Sequence, residues 1–100
     1  MRWSAKVDAN QVEIVRALRQ AGATITHLHA VGRGCPDIIA GYNGKNYLLE
    51  IKTNAGRMTP LEEDFLHTWR GQVAVVRTAE EALNVIQEKL YETTQQSQDA

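Results

Sequence analysis

The dipeptide Asn43-Gly44 constrains the fold of this chain more than any other feature of its sequence. It separates two apolar runs, and Asn-Gly favours a two-residue hairpin loop because a type I′ turn needs positive φ at both central residues. If these residues form the loop, Tyr42 pairs with Lys45, and Ile39 pairs with Leu48. The sequence therefore predicts a β-hairpin whose register is fixed by its turn.

This register gathers charged side chains at the open end of the hairpin. Asp37 is expected opposite Glu50, and the two-residue period of a strand puts Lys52 on the same face, with Ile51 on the other. Two carboxylates about 5 Å apart repel by about 3 kcal/mol at an effective dielectric of about 20. Lys52 offsets part of this repulsion, and a divalent cation would offset all of it. The alternative is an ordinary surface salt bridge at a hairpin end.

Length and composition favour one globular domain. The chain has 100 residues, of which 43% are hydrophobic and 23% are charged, as in ordinary soluble domains. Residues 1–7 are interpreted as a lead-in, 8–92 as the domain, and the Gln/Ser/Thr-rich residues 93–100 as a disordered tail. Since no apolar run approaches a membrane span and no signal peptide is visible, a cytoplasmic protein is expected.

Charge and cysteine content narrow the function classes. The single cysteine rules out an internal disulfide and suits a reducing compartment. The net charge of −1 excludes a globally basic nucleic-acid binder. Nucleic-acid binding would therefore need a local basic patch, or a metal that reverses the sign of an acidic site.

Hydrophobic spacing and capping signals predict the order α-β-β-β-α-β-α. The first helix is expected from an Asp8 N-cap to about Ala21, followed by a strand over 23–30, the hairpin, a helix that starts at Thr59-Pro60, a strand over 72–77 and a helix from Thr78. Both hairpin strands carry apolar residues on both faces, which is typical of strands covered on both sides. We therefore predict an α/β fold with a mixed four-stranded sheet between helices.

The spacing of apolar residues predicts which side chains of the first two helices face inward. Gln11 falls on the apolar face of the first helix and is expected to point toward the sheet. In the second helix a buried stripe is predicted at helical spacing, formed by Leu61, Phe65, Leu66 and Trp69.

Two other chemistries have candidate residues. His27 and His29 with Cys35 suggest part of a zinc site, but structural zinc generally takes four ligands and only three are visible. His27 and His29 share a strand face and are better explained as satisfied polar side chains at the end of the sheet or at the rim of an active site. Cys35 has no evident activating base, so packing before Pro36 is its expected role rather than nucleophilic catalysis.

Taken together, these motifs resemble the PD-(D/E)xK nuclease superfamily. The resemblance lies in a proline-aspartate pair, a hairpin and a Glu-x-Lys triplet set in an α-β-β-β-α-β core. It is closer to the small VRR-NUC and Holliday-junction-resolvase-like nucleases common in phages and prophages. The matching stretches are 8–11 with Ile14-Val15 and Leu18-Arg19, then 31–37, 49–52, Thr59-Pro60 and 69–75.

The resemblance implies a restriction-endonuclease-like core and a set of site residues. Asp37 and Glu50 would be the metal-binding carboxylates, with the backbone carbonyl of Ile51 completing the site. Lys52 would orient the attacking water and offset negative charge in the transition state. The implied cofactor is Mg²⁺ or Mn²⁺, with no small-molecule cofactor and no membrane association. The implied substrate is branched or duplex DNA, bound by a homodimer.

One departure concerns the first helix. Many relatives carry a glutamate there that points at the metal, and the best-matching position here is Gln11. Gln11 is accordingly a candidate catalytic residue through a metal-bound water, or only the partner of Asp8 in a helix cap. Relatives also often have glutamine in the second helix, where this chain has Glu62 or Glu63.

Three basic residues are candidates for phosphate contacts. Arg33 lies in the glycine-bearing loop before the motif, and Arg57 lies in the loop after it. Both loops are expected near the acidic end of the hairpin. Lys45 flanks the turn at the other end, where simple solubility is the competing explanation.

The resemblance thus implies a metal-dependent endodeoxyribonuclease that acts on branched or structured DNA in a bacterial host, encoded by a phage or prophage. The alternative is a catalytically inactive nuclease-fold module that binds nucleic acid or protein.

Overall fold

The structure is a computed structural model that describes residues 9–89. The expected lead-in, the Asp8 cap and the tail over 93–100 lie outside these residues. The elements follow the predicted order: α1 Ala9–Gln20, β1 Thr24–His27, β2 Ile38–Tyr42, β3 Lys45–Ile51, α2 Pro60–Thr68, β4 Ala74–Val76 and α3 Ala79–Gln87. The chain is therefore an α/β protein.

The four strands form one mixed sheet in the order β1-β2-β3-β4. The first two pairings are antiparallel, and β4 runs parallel to β3. In the hairpin, Tyr42 pairs with Lys45 and Ile39 pairs with Leu48, as the turn predicted. Asn43 and Gly44 both have positive φ, 55° and 81°. The register of the hairpin is thus confirmed.

The first strand is shorter than predicted. It ends at His27, which pairs with Ile38, the first residue of β2. One residue further, Leu28 N–H still donates to the Asp37 carbonyl at 2.8 Å, and the chain then turns, with Val31 N–H donating to the Leu28 carbonyl at 2.9 Å. His29 therefore lies outside the strand that was expected to carry it.

One face of the sheet holds the core. Helices α1 and α3 contact each other, and α1 also contacts β1 while α3 contacts β3 and β4. Buried and partly buried residues alternate along the first part of β2, but Leu49, Glu50 and Ile51 are buried in succession at the end of β3, so both faces of that strand are covered there. The most deeply buried large side chains are Ile14, Leu18, Ile38, Leu49, Val76 and Ile86, together with Pro36.

The predicted buried stripe of α2 is wrong. No residue of α2 is buried, Leu61 is 59% exposed, and Trp69, just after the helix, is 46% exposed. Phe65 stacks on Trp69 at a ring-centroid distance of 5.0 Å, so these rings contact each other rather than the core. Helical spacing shows which side chains share a face, but it does not show how deeply that face is covered, and here Phe65 and Leu66 are only partly buried.

The start of α2, in contrast, follows the predicted capping box. The Thr59 hydroxyl accepts a hydrogen bond from Glu62 N–H at 3.2 Å, and Glu62 Oε1 accepts one from Thr59 N–H at 2.9 Å. Pro60 occupies the first helical position. Both bonds satisfy backbone donors that a helix start otherwise leaves unpaired. They also fix the direction in which the Glu62 side chain leaves the helix.

None of the helices within residues 9–89 is both long enough and apolar enough to cross a lipid bilayer.

Candidate functional site

Asp37 extends the hairpin through its side chain. The backbone ladder between β2 and β3 ends at the pair Ile38–Leu49. One step further along, Asp37 Oδ2 accepts a hydrogen bond from Ile51 N–H at 2.7 Å. The carboxylate is therefore held against β3 beside Glu50, where the register predicted it.

Glu50 is buried against this carboxylate. It is 3% exposed and is the sole charged residue that is buried within residues 9–89. Burial, followed by the negative charges of Asp37 and Glu62, raises the pKa of Glu50 to about 8. Burial also raises the pKa of Asp37, although the Ile51 N–H and the charge of Lys52 oppose the shift. The surface salt bridge considered as an alternative therefore does not describe these residues.

Lys52 reaches two acids on the same face of the sheet. Its Nζ lies 3.5 Å from Glu50 Oε2 and 2.7 Å from Glu62 Oε1. Burial lowers the pKa of Lys52, but the hydrogen bond to Glu62 and the charges of Glu62 and Glu50 raise it by more. The side chain stays protonated at neutral pH, so it offers a fixed ammonium group next to the carboxylates.

Asp37, Glu50, Lys52 and Glu62 form one charged cluster at the open end of the hairpin. The sequence had not assigned Glu62 to it. This residue was one of two candidates for a position in α2, and the structure brings Glu62 to Lys52 while Glu63 is exposed. Burial raises the pKa of Glu62, but hydrogen bonds from Lys52 and from Thr59 N–H lower it by more. The capping box was the signal available in the sequence, because its glutamate points back toward the preceding loop.

Two further residues brace the ends of β3 and β4. Asn10 Nδ2 donates to the carbonyls of Lys52, at 2.9 Å, and Arg77, at 3.4 Å. The Arg77 guanidinium donates to the carbonyls of Thr53 and Gly56 and so pins the loop after Lys52. These contacts join residues far apart in the chain, and no local sequence signal pointed to them.

Gln11 lies in a groove on α1 rather than against Asp37 and Glu50. It is half-buried and lines a groove on α1 with Val12, Arg16, Arg19 and His27. Within the described residues no hydrogen bond joins its side chain to Asp37 or Glu50. Its role in the site stays a prediction, as does the capping alternative, whose partner Asp8 lies outside these residues.

The three candidate phosphate contacts occupy different places. Arg33 and Arg57 are exposed in the loops before β2 and before α2. Lys45 lies at the turn end of the hairpin, where its Nζ pairs with Glu88 Oε2 at 3.0 Å. Of the three, only Lys45 has a described ion pair, and it lies at the hairpin end opposite Asp37 and Glu50.

The residues considered for zinc are only partly brought together. The rings of His27 and His29 have centroids 5.8 Å apart. Within residues 9–89 no group of three His, Cys, Asp or Glu side chains is arranged to hold a metal ion. Burial, followed by the charges of Glu50 and Asp37, raises the pKa of Cys35, so its thiol stays protonated at neutral pH.

The donor set at the hairpin end does fit a hard divalent cation. Asp37 and Glu50 offer carboxylate oxygens, and magnesium commonly takes one or two carboxylates with water completing its shell. Burial and then the negative charges of Asp37 and Glu62 raise the pKa of Glu50, and a bound cation would favour its ionised form.

No protein-family model matches this chain, and comparison with curated proteins and with solved structures likewise found no match.

Proposed function

We propose that this protein is a divalent-metal-dependent endonuclease that hydrolyses phosphodiester bonds in DNA. The observation that carries this proposal is the buried carboxyl group of Glu50 beside Asp37, with the ammonium of Lys52 on the same face. Buried, mutually repelling acids next to a fixed ammonium group cost stability, which is typical of functional sites. The same residues carry the sequence resemblance to PD-(D/E)xK nucleases and their restriction-endonuclease-like core.

Asp37 and Glu50, with the carbonyl of Ile51, would hold Mg²⁺ or Mn²⁺. The bound cation would polarise a phosphoryl oxygen and lower the pKa of a water molecule. The hydrogen bond from Ile51 N–H holds one Asp37 oxygen in place, so Asp37 needs little reorganisation to bind a cation. Burial of Glu50 excludes competing water from its carboxylate and strengthens its attraction to a cation.

Lys52 acts on the phosphate and on the attacking water. The Lys52 side chain is 15% exposed, so it is not fully sealed from solvent. An ammonium fixed beside the scissile phosphate stabilises the negative charge that develops on its oxygens. It also donates a hydrogen bond that orients the water molecule toward phosphorus.

The DNA backbone would reach this site between two loops. The exposed Arg33 and Arg57 supply positive charge on the chain segments next to Asp37 and Lys52. Phosphate contacts of this kind position a duplex without reading its bases. Recognition of branched or structured DNA therefore suits a small domain of net charge −1 better than recognition of a sequence.

The proposal is tested by incubating the protein with supercoiled, linear, single-stranded and four-way-junction DNA, and with matched RNA, in Mg²⁺, Mn²⁺ or EDTA. Cleavage should require the metal, and Asp37→Ala, Glu50→Ala and Lys52→Ala should each lower the rate by about 100-fold or more. Glu63→Ala is the matched control, because Glu63 is an exposed acid outside the cluster.

Metal binding gives a second measurement of the proposal. Titration calorimetry with Mn²⁺ should show binding to the unmodified protein that Asp37→Ala abolishes. Tight DNA binding without cleavage in any metal would instead support the inactive nucleic-acid-binding module. Homodimerisation stays a prediction, and light scattering during size-exclusion chromatography tests it.

A further inference from the structure

We propose that Glu62 is the positioning residue for Lys52, and that Gly34 holds Glu62 in place by letting its loop pack directly on the first turn of α2. This inference rests on the proposed nuclease function, in which Lys52 is the catalytic ammonium. It assigns the site a third element, α2, besides the two strands of the hairpin.

The first step is the direction of the lysine side chain. Lys52 Nζ is 2.7 Å from Glu62 Oε1 but 3.5 Å from Glu50 Oε2, so Glu62 makes the closer contact. The same Glu62 oxygen accepts the N–H of Thr59 at 2.9 Å. The helix cap therefore fixes the position of the Glu62 carboxylate, and the hydrogen bond to this carboxylate fixes the position of Lys52 Nζ. Without this contact, Lys52 would be drawn to Glu50 and Asp37, which are the proposed cation ligands.

The second step is how α2 itself is held. No residue of α2 is buried, and Leu61 in its first turn is 59% exposed, so apolar burial does not dock this end of the helix. Gly34 supplies a backbone contact instead. A Cβ at Gly34 would lie 2.9 Å from Glu62 N and much closer than van der Waals contact to the Leu61 carbonyl oxygen. Only glycine permits this approach, and its φ of +79° also favours glycine.

The chain offers a matched control for this contact. Gly32 has a nearly identical φ of +77°, but a Cβ there meets nothing within 4 Å. Gly32→Ala and Gly34→Ala therefore introduce the same backbone strain, and only Gly34→Ala also pushes against α2. Any difference between the two variants reports the contact with the first turn of α2 rather than the loss of a glycine.

The position of Lys52 can be measured without metal or DNA. Competitive acetylation followed by mass spectrometry reports how accessible and how easily deprotonated each lysine Nζ is, and the contact with Glu62 lowers both for Lys52. Glu62→Ala and Gly34→Ala should raise the labelling of Lys52 several-fold, whereas Gly32→Ala should leave it unchanged. Lys45 is the internal reference, because its partner is Glu88 at the other end of the hairpin. Equal labelling of Lys52 in Gly34→Ala and Gly32→Ala would refute the role of Gly34.

Activity separates a positioning role from direct cation binding. Glu62→Gln keeps an oxygen that accepts from Lys52 and Thr59, so it should retain most of kcat and bind Mn²⁺ nearly as tightly as the unmodified protein. Glu62→Ala loses that acceptor, and kcat should fall by about 10- to 100-fold. If Glu62→Gln loses as much kcat as Glu62→Ala and also loses Mn²⁺ affinity, Glu62 is a cation ligand and the positioning role is wrong.

The two proposals fail in distinguishable ways. If the unmodified protein neither binds Mn²⁺ nor cleaves DNA, the nuclease proposal fails, while the labelling still reports whether Glu62 and Gly34 position Lys52. If the protein cleaves DNA but Glu62→Ala changes neither labelling nor kcat, the positioning role fails and the nuclease proposal stands.

Discussion

Each end of the β2–β3 hairpin places a lysine next to a glutamate, but the two ends differ in how exposed these side chains are and in how well their charges balance. At the turn end, Lys45 and Glu88 lie 3.0 Å apart with side chains 61% and 50% exposed, and the Tyr47 hydroxyl donates to Glu88 at 2.6 Å. At the open end, Lys52 faces Glu50 and Glu62, whose side chains are only 3% and 19% exposed. One end is solvated and balanced, and the other is buried and rich in acid.

The pKa shifts of the two glutamates follow this difference. The Tyr47 hydroxyl and then Lys45 lower the pKa of Glu88, so that contact favours the ionised form. Burial and then the charge of Asp37 raise the pKa of Glu50, so its ionised form is disfavoured. An arrangement that works against folding is expected where residues are kept for chemistry rather than stability. The turn end thus shows what a structural ion pair looks like in this protein, and the open end departs from it.

Among the charged residues of the two hairpin ends, the largest effect on stability should come from neutralising Glu50. In metal-free solution at pH 8.5, Glu50→Gln should raise the free energy of unfolding by about 1–3 kcal/mol, because it removes a buried charge that Asp37 and Glu62 repel. Urea denaturation in EDTA measures this change, and the same variant should be inactive on DNA. A loss of stability would mean that Glu50 is satisfied as an ordinary buried ion pair.

The pH dependence of stability should also separate the two ends. Glu50 has an ordinary pKa of 4.5 and a folded pKa of about 8, so between these values the folded protein holds a proton that the unfolded chain has released. The free energy of unfolding therefore falls as pH rises through this range, by at most about 1.4 kcal/mol per pH unit. Asp37, whose pKa is also raised, acts in the same direction.

Thermal melts of the metal-free protein from pH 5 to pH 9 test this slope. Glu50→Gln should flatten it, and Glu88→Gln should leave it in place, because the contribution of Glu88 to stability is constant above about pH 4.5 and varies with pH only in acid, where its lowered pKa lies. If the slope is unchanged in Glu50→Gln, titratable groups other than Glu50 cause the pH dependence of stability.

Sequence predicted the hairpin end well because its determinants are local. The Asn43-Gly44 turn fixes the register, the register aligns Asp37 with Glu50, and the period of the strand adds Lys52. The order of the elements followed from capping residues and spacing in the same way. Each of these steps depends on residues that are neighbours in the chain or in one hairpin.

The parts that sequence missed depend on docking between distant segments. Lys52 contacts Glu62 of α2, and the first turn of α2 lies against Gly34, 28 positions before Glu62 in the chain. The exposed face of α2 was misjudged for the same reason, since spacing does not reveal whether another element covers a helix. Asn10, which bridges the ends of β3 and β4, is a further case.

A smaller effect is expected at the turn end. Glu88→Gln keeps an acceptor for the Tyr47 hydroxyl but loses the charge that pairs with Lys45, so Tm should fall by less than about 5 °C. The difference should shrink further in 1 M salt, which screens exposed charges. DNA cleavage should be unchanged, and a loss of cleavage would extend the functional surface to this end of the hairpin.

The smallest effect is expected from Leu61→Ala, at the exposed start of α2 beside the open end. Leu61 is 59% exposed, so its truncation should change the free energy of unfolding by less than about 0.5 kcal/mol, whereas Leu18→Ala, at a fully buried position, should cost about 2–5 kcal/mol. Urea denaturation at several protein concentrations measures both. A larger cost for Leu61→Ala that grows with protein concentration would mean that a second copy covers α2, because only an association equilibrium makes stability depend on concentration.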